Sequence, residues 1–303
     1  MLFEHIRTVD NAGVLRASIN AKKSVVTFLS LMDPGTGHID RSLAHDLGLD
    51  CQAGYNAETP FPHIVIDDFL PASVARMCVD NFPAGESGAQ ADYDRAQERL
   101  KREYSPDEMP EHLRNLFYTF NSLPFLKIVE NISGIKGLVP DPYFRGGGFH
   151  EIFNGGHLSV HADFNHHKPL NLERRINLLI YLNEDWTDDY GGQLELWTPD
   201  MSRCAKSIVP IFNRAVMFNT TSSSNHGNPH PVNHPDGRSR KSIALYYYTA
   251  TWDGAQRSHT TQFRARPSTQ DKTDWAVRRR EIFDDIVPPI IRRSIQKFRR
   301  NDQ

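Results

Sequence analysis

The chain has 303 residues, 39% of them hydrophobic and 24% charged, which suffices for one large folded unit or two small ones and lies outside the composition of disorder. With 35 basic against 37 acidic side chains the net charge is -2, so no global field draws the molecule to nucleic acid or to an anionic membrane, and no nucleic-acid partner is expected. Cys51, Cys78 and Cys204 fit neither a disulfide framework nor a thiolate zinc site, and the run Val25 to Met32 is too short to span a bilayer, so a cytoplasmic location is expected.

Residues 1–60 read as an N-terminal extension with a turn cluster at DPGTG, 33–37. PFPHIVIDDFL reads as a proline-bounded strand and PASVARMCVDNF as a helix. The charged segment that follows reads as a loop with a solvated helix from Tyr93 to Glu103. EHLRNLFYTFNS and LPFLKIVENIS are helical. From about 140 to 250 the text becomes a series of short strands rich in Ile, Val, Phe and Tyr: FRGGGFHEIF, HLSVHADF, RRINLLIYLNED, GQLELW, SIVPIF, RAVMFNT and RKSIALYYYTA. NGG, DDYGG, DMSRC and NHPDG separate them, a pattern that predicts an all-β sandwich or barrel of the jelly-roll kind. The tail 264–303 reads as a basic helical extension packed on that core, broken at Pro288 and Pro289, with eleven basic and five acidic residues between Arg264 and Arg300. The expected organisation is thus an extension to 60, a domain over 61–263 and the tail.

In HLSVHADF the alternation of a strand puts His157, Ser159, His161 and Asp163 on one face. A histidine and a carboxylate two residues apart are two of the three ligands of a 2-His-1-carboxylate iron site. The third must be a histidine from a distant strand, and NTTSSSNHGNPHPV supplies His226 with His230 and His234 close behind. On the strand RKSIALYYYT, Arg240 and Ser242 share a face, and a planar guanidinium beside a hydroxyl suits a bidentate grip on a carboxylate. Asn177 and Tyr181 share the face of the strand RINLLIYLN that would line the same pocket.

HADF, RRINLLIYLNEDW, YGGQLELW, NRAVMF, HGNPHPV and RKSIALYYYT, in that order, resemble the Fe(II)/2-oxoglutarate oxygenase superfamily in its prolyl 4-hydroxylase-like branch, over roughly residues 60–265. The resemblance implies a mainly β, double-stranded β-helix core with flanking helices, one Fe(II), and 2-oxoglutarate and O2 consumed to succinate and CO2 as a C–H bond becomes C–OH, with ascorbate a candidate stimulant. It implies His161, Asp163 and His226 as the ligands, Arg240 on the distal carboxylate of 2-oxoglutarate, and Tyr181 beside it, with Ser242 and Asn177 as further co-substrate contacts. The interval from His230 to Arg240 is ten residues and that from His226 fourteen, and the shorter one is closer to prolyl hydroxylases; the HGNP context nevertheless selects His226. The retained Asp163 points to hydroxylation rather than halogenation.

The substrate is read as a small molecule or glycan unit, with a protein or peptide prolyl residue as the alternative. A non-catalytic jelly-roll binding module and a cupin-like metalloenzyme are the readings of other classes, and Arg240 argues against the second. Arg174 and Arg175 are expected to pair with Glu173 or Glu184 at the surface, and Trp186 and Trp197 to be core and rim aromatics.

Overall fold

In the computed structural model, which describes residues 31–83, 89–256, 258–272, 274, 275 and 279, alternation and turn chemistry curl the chain into a double-stranded β-helix. Ahead of it come α1 (Arg41–Ala57), β1 (His63–Ile66), α2 (Ala72–Asp80), β2 (Ala89–Arg95), β3 (Glu98–Tyr104), α3 (Glu111–Phe120) and α4 (Leu123–Ser133). The remaining strands are β4 (Val139–Pro140), β5 (Gly148–Ala162), β6 (His166–His167), β7 (Leu172–Tyr181), β8 (Leu194–Trp197), β9 (Cys204–Ile208), β10 (Ala215–Asn219), β11 (His226–Asn228), β12 (Arg240–Thr249) and β13 (Gln262–Phe263). Hydrogen-bonded neighbours run β1-β10-β7-β12-β5-β11-β8-β9, with β3 and β13 on β5 and β2 on β3. No described helix is long and apolar enough to cross a membrane.

The two faces of β7 show what holds the layers together. Ile176, Leu178 and Ile180 are buried in one cluster with Phe117 and Phe120 of α3 and Phe125 of α4, and each such side chain stabilises the fold by about 1.5–3 kcal/mol. The helices meet this face because their apolar residues recur at helical spacing, as Leu113, Leu116, Phe117 and Phe120 do in α3. Gly134, left-handed at φ 76°, stops α4. Asp40 caps α1 by accepting from the backbone N–H groups of Ser42 and Leu43, and Tyr55 at the other end of α1 donates its hydroxyl to Asn219 of β10.

Two expectations give way here. Residues 93–103 form the antiparallel β2–β3 hairpin, not a helix, and β3 pairs with β5. The NGG at 154–156 does not turn the chain back; it is a bulge within the 15-residue β5, whose pairing with β3 skips from His157 to Ile152. The paired prolines of the basic tail lie outside the described residues.

Candidate active site

His161 lies near the end of β5, Asp163 follows that strand, and His226 opens β11. The register that pairs His226 with His161 brings their ring centroids to 4.5 Å. One ligand atom from each of His161, Asp163 and His226 lies within 4.8 Å of the others. Asp163 Oδ1 is 3.4 Å from His161 Nε2, and Asp163 Oδ2 is 3.4 Å from His226 Nε2. Each imidazole is oriented from behind: Nδ1 of His161 is 2.9 Å from the Ser159 carbonyl and Nδ1 of His226 is 3.0 Å from that of Ser224. A carbonyl only accepts, so the proton sits on Nδ1 and the Nε2 lone pair is left for the shared point.

Gly227 lets β11 come this close to β5. A Cβ there would stand 2.9 Å from the carbonyl oxygens of Leu158 and Ser159 and from the Val160 Cα, a clash with backbone that cannot move aside.

Asp163 is held as a carboxylate. Asn177 Nδ2 donates to its Oδ2 at 2.7 Å and the Arg174 guanidinium lies 3.0 Å from the same oxygen. The Asn177 carbonyl is engaged as well, accepting from Arg174 at 3.1 and 2.7 Å and from the Thr220 hydroxyl at 3.2 Å. Burial would raise the Asp163 pKa, but Arg174 and the two histidines outweigh it and hold the carboxyl well below its usual range. Burial pushes His226 down to about 4, against the pull of Asp163, so its imidazole is neutral at pH 7. Arg174 is 2% exposed and lies over the rings of Tyr246 and Phe164, at 3.6 and 4.4 Å. This corrects the expected surface pairing; Arg175 alone meets Glu173, at 3.6 Å.

The same side chains line a cavity of about 450 Å³ that Arg240 and Ser242 reach from β12. Arg240 donates from Nε to the Gly192 carbonyl at 2.7 Å and lies over the Tyr181 ring at 4.9 Å. It has no carboxylate partner among the described residues, and burial pulls its pKa down from the usual guanidinium value. Gly192, left-handed at φ 69°, must be glycine because a Cβ would meet Arg240 Cδ at 2.8 Å. Tyr181 is fully buried among Leu194, Leu196 and Phe218, and its hydroxyl interacts with the Arg240 guanidinium. The residues therefore fit what the sequence implied: two imidazoles and a carboxylate suit a transition metal with room beside it, and a buried guanidinium with no carboxylate partner among the described residues, beside a phenol, suits a carboxylate ligand.

The other histidines separate from this group. His230 has a 60% exposed side chain and pairs with Glu195 at 3.0 Å, and His234 packs against Trp186 and Tyr190. His157 is half-buried beside the Ala96 carbonyl, and His166 stacks on Trp252. Trp186 and Trp197 are buried, each donating its indole N–H, to the Gly191 carbonyl and to Glu195. Sequence reasoning missed a second set of cavity residues, Tyr93, Glu98, Lys101, Glu103, His150 and Asn228.

Residues 147–248 match the model of the 2OG-Fe(II) oxygenase superfamily. Among solved structures, the chain is similar to a prolyl hydroxylase from Trichoplax adhaerens in complex with a hypoxia inducible factor oxygen degradation domain peptide fragment. The identity is 18% over 71% of this chain and 96% of that one, with a TM-score of 0.51. A Pseudomonas putida prolyl-4-hydroxylase is also 18% identical, over 66% of this chain and 98% of its own, with a TM-score of 0.45. At such identity the first likeness speaks for the fold.

Proposed function

We propose that this chain, whose residues 147–248 match the model of the 2OG-Fe(II) oxygenase superfamily, is an oxygenase that uses Fe(II), 2-oxoglutarate and O2 to hydroxylate an unactivated C–H bond of a small molecule or glycan unit, releasing succinate and CO2. The observation that carries this reading is the convergence, in one cavity, of the His161, Asp163 and His226 donors with the Arg240 guanidinium. In this reading those three side chains hold the iron. When bound, the metal supplies oxygen activation coupled to oxidative decarboxylation of the co-substrate.

Everything else is binding and orientation. The Arg240 fork takes the distal carboxylate of 2-oxoglutarate, with the Tyr181 and Ser242 hydroxyls beside it. Asn177 acts through Asp163, because both ends of its amide are already engaged. Leu179 and Leu194 contribute apolar surface to the cavity lining, which would help keep water from the reacting carbon. No side chain need act as general base, in keeping with a cavity whose carboxylates all carry ion-pair partners.

The test is anaerobic Fe(II) titration followed by succinate formation on admitting air, for the natural protein and Asp163→Ala. The variant is expected to fold, at a cost of about 3–5 kcal/mol for the Arg174 guanidinium left buried without its partner, to bind iron weakly and to form no succinate above background. Turnover near the natural level in Asp163→Ala would remove Asp163 from the ligand set.

A further inference from the structure

The wall of the cavity contributed by the β2–β3 hairpin is built of paired charge, with Glu98, Lys101 and Glu103 buried and Arg95 exposed beside them. Lys101 Nζ lies 2.5 Å from Glu103 Oε1 and 3.3 Å from Glu98 Oε1, and Arg95 Nε donates to the other Glu98 oxygen at 2.9 Å. Tyr93 closes the group, its ring 4.6 Å from the Lys101 ammonium and its hydroxyl 3.4 Å from Glu103. Each of these charges is engaged by an opposite one, Arg95 also by Asp274 at 3.6 Å, so the wall offers dipoles and hydrogen bonds rather than a free charge.

Across β5 the cavity carries two polar atoms with nothing to bond. The pairing runs Glu103, His150, Ser242 in one row and Glu98, Leu158, Asn228 in another, and all six line the cavity. His150 Nε2 has no hydrogen-bond partner and stands 3.9 Å from Glu103 Oε1; the ring is neutral, pushed down to about 4 by burial, and its hydrogen bond with the Gly146 backbone takes up the other nitrogen, which leaves Nε2 as an acceptor awaiting a donor. Asn228 is 2% exposed and its Nδ2 is a donor awaiting an acceptor. Lys101, with three N–H groups and two carboxylate partners, retains one more donor. A hydroxyl is the group that answers both needs, since it donates and accepts at once. A prolyl ring answers neither: it is C–H throughout, and its nitrogen in a peptide has no hydrogen. Ile152, Leu158, Leu179 and Leu194 would meet the carbon skeleton between the hydroxyls.

Resting on the oxygenase reading above, we propose that this wall is a hydroxyl-binding subsite and that the molecule oxidised is a compact polyhydroxylated one, of the sugar or cyclitol class, in preference to a prolyl side chain.

The experiment measures succinate formation by the Fe(II)-loaded protein without substrate, with methyl hexosides, hexosamines and myo-inositol as probes, and with L-proline and a proline-containing peptide. Isothermal titration of the same probes into the metal-free protein runs beside it. At least one polyol is expected to bind and to raise succinate about tenfold over the substrate-free rate, while the proline compounds do neither. Asn228→Leu should raise the KM for that polyol about tenfold, with a change of less than about twofold in the KM for 2-oxoglutarate. Lys101→Met alone would strand Glu103 as a buried anion and risk the fold, so the second variant is Lys101→Met with Glu103→Gln, and the same shift is expected. The proposal is overturned if no polyol binds, if the proline compounds stimulate as well as the polyols, or if both variants leave the polyol KM unchanged. Absence of 2-oxoglutarate consumption under every condition strikes the reaction assignment instead, and the subsite then stands or falls on the titration.

Discussion

Replacing Arg174 by methionine tests the electrostatics of the candidate site without needing substrate or metal. The guanidinium is 2% exposed, 3.0 Å from the Asp163 carboxylate, and donates twice to Asn177. Methionine keeps the aliphatic stem but gives up the guanidinium contacts with Tyr246 and Phe164 and leaves a buried carboxylate with Asn177 as its main donor. A charge pair about 4 Å apart is worth about 4 kcal/mol at the effective dielectric typical of protein sites, and breaking buried pairs costs about 3–5 kcal/mol. Arg174→Met should therefore destabilise the metal-free protein by about 3–5 kcal/mol, read from the shift of a urea unfolding midpoint at constant slope. Adding Asp163→Asn removes the stranded charge, so the double variant should be milder than the single one, at a cost of about 1–2 kcal/mol. Arg174→Lys restores charge without the planar fork and should fall between the natural protein and Arg174→Met. A loss below about 1 kcal/mol for Arg174→Met, or a double variant no milder than the single, would show that the pair does not hold this corner of the fold.

Three further outcomes are expected. Arg240→Ala strands no carboxylate, so it should leave the fold intact and weaken 2-oxoglutarate binding by about 2–4 kcal/mol, a tenfold to several-hundredfold rise in its KM; an equal rise for the oxidised substrate would contradict the assignment. His226→Ala should abolish tight Fe(II) binding in an anaerobic titration while His230→Ala, exposed and paired with Glu195, should not; the reverse result would redraw the donor set. His150, depressed from 6.5 to about 4, takes up its proton on unfolding, so its contribution is complete above pH 6.5 and lost as the pH falls towards 4. His150→Gln should flatten the acid side of the stability profile by up to about 3 kcal/mol, and an unchanged profile would count against a buried neutral ring.

What the sequence conveyed and what it withheld have the same cause, the strictness of strand alternation. Where β7 and β12 are regular, alternation sorts Leu179 and Tyr181, with Asn177, from Ile176, Leu178 and Ile180, which pack in a different cluster, and sets Arg240 beside Ser242 in the cavity lining. Where a bulge intervenes it fails. By strict alternation Arg174 belongs on the face of Ile176; the pairing passes from Tyr247 with Ile176 to Tyr248 with Arg174, and the extra residue Arg175 turns Arg174 back towards Asn177. The hairpin was lost for a related reason. Its inward positions are charged and Leu100 sits at a positive φ of 49° in a register shift, so the apolar rhythm by which strands are recognised is absent and dense charge resembles a solvated helix. That His226 rather than His230 stands with His161 and Asp163 follows context rather than spacing, and the Gly227 that supplied that context is the residue that cannot carry a Cβ.

The hairpin joins the sheet at one place, the edge of β5, while His161, Asp163, His226 and Arg240 belong to β5, β11, β12 and the turn after β5. In the reading proposed above, divergence in β2 and β3 can therefore remodel what the cavity admits while the proposed donors for the metal and the co-substrate keep their ladder partners. Such a chain can change its diet without relearning its chemistry, and a graft of residues 89–104 from a relative is the segment with which to redirect it.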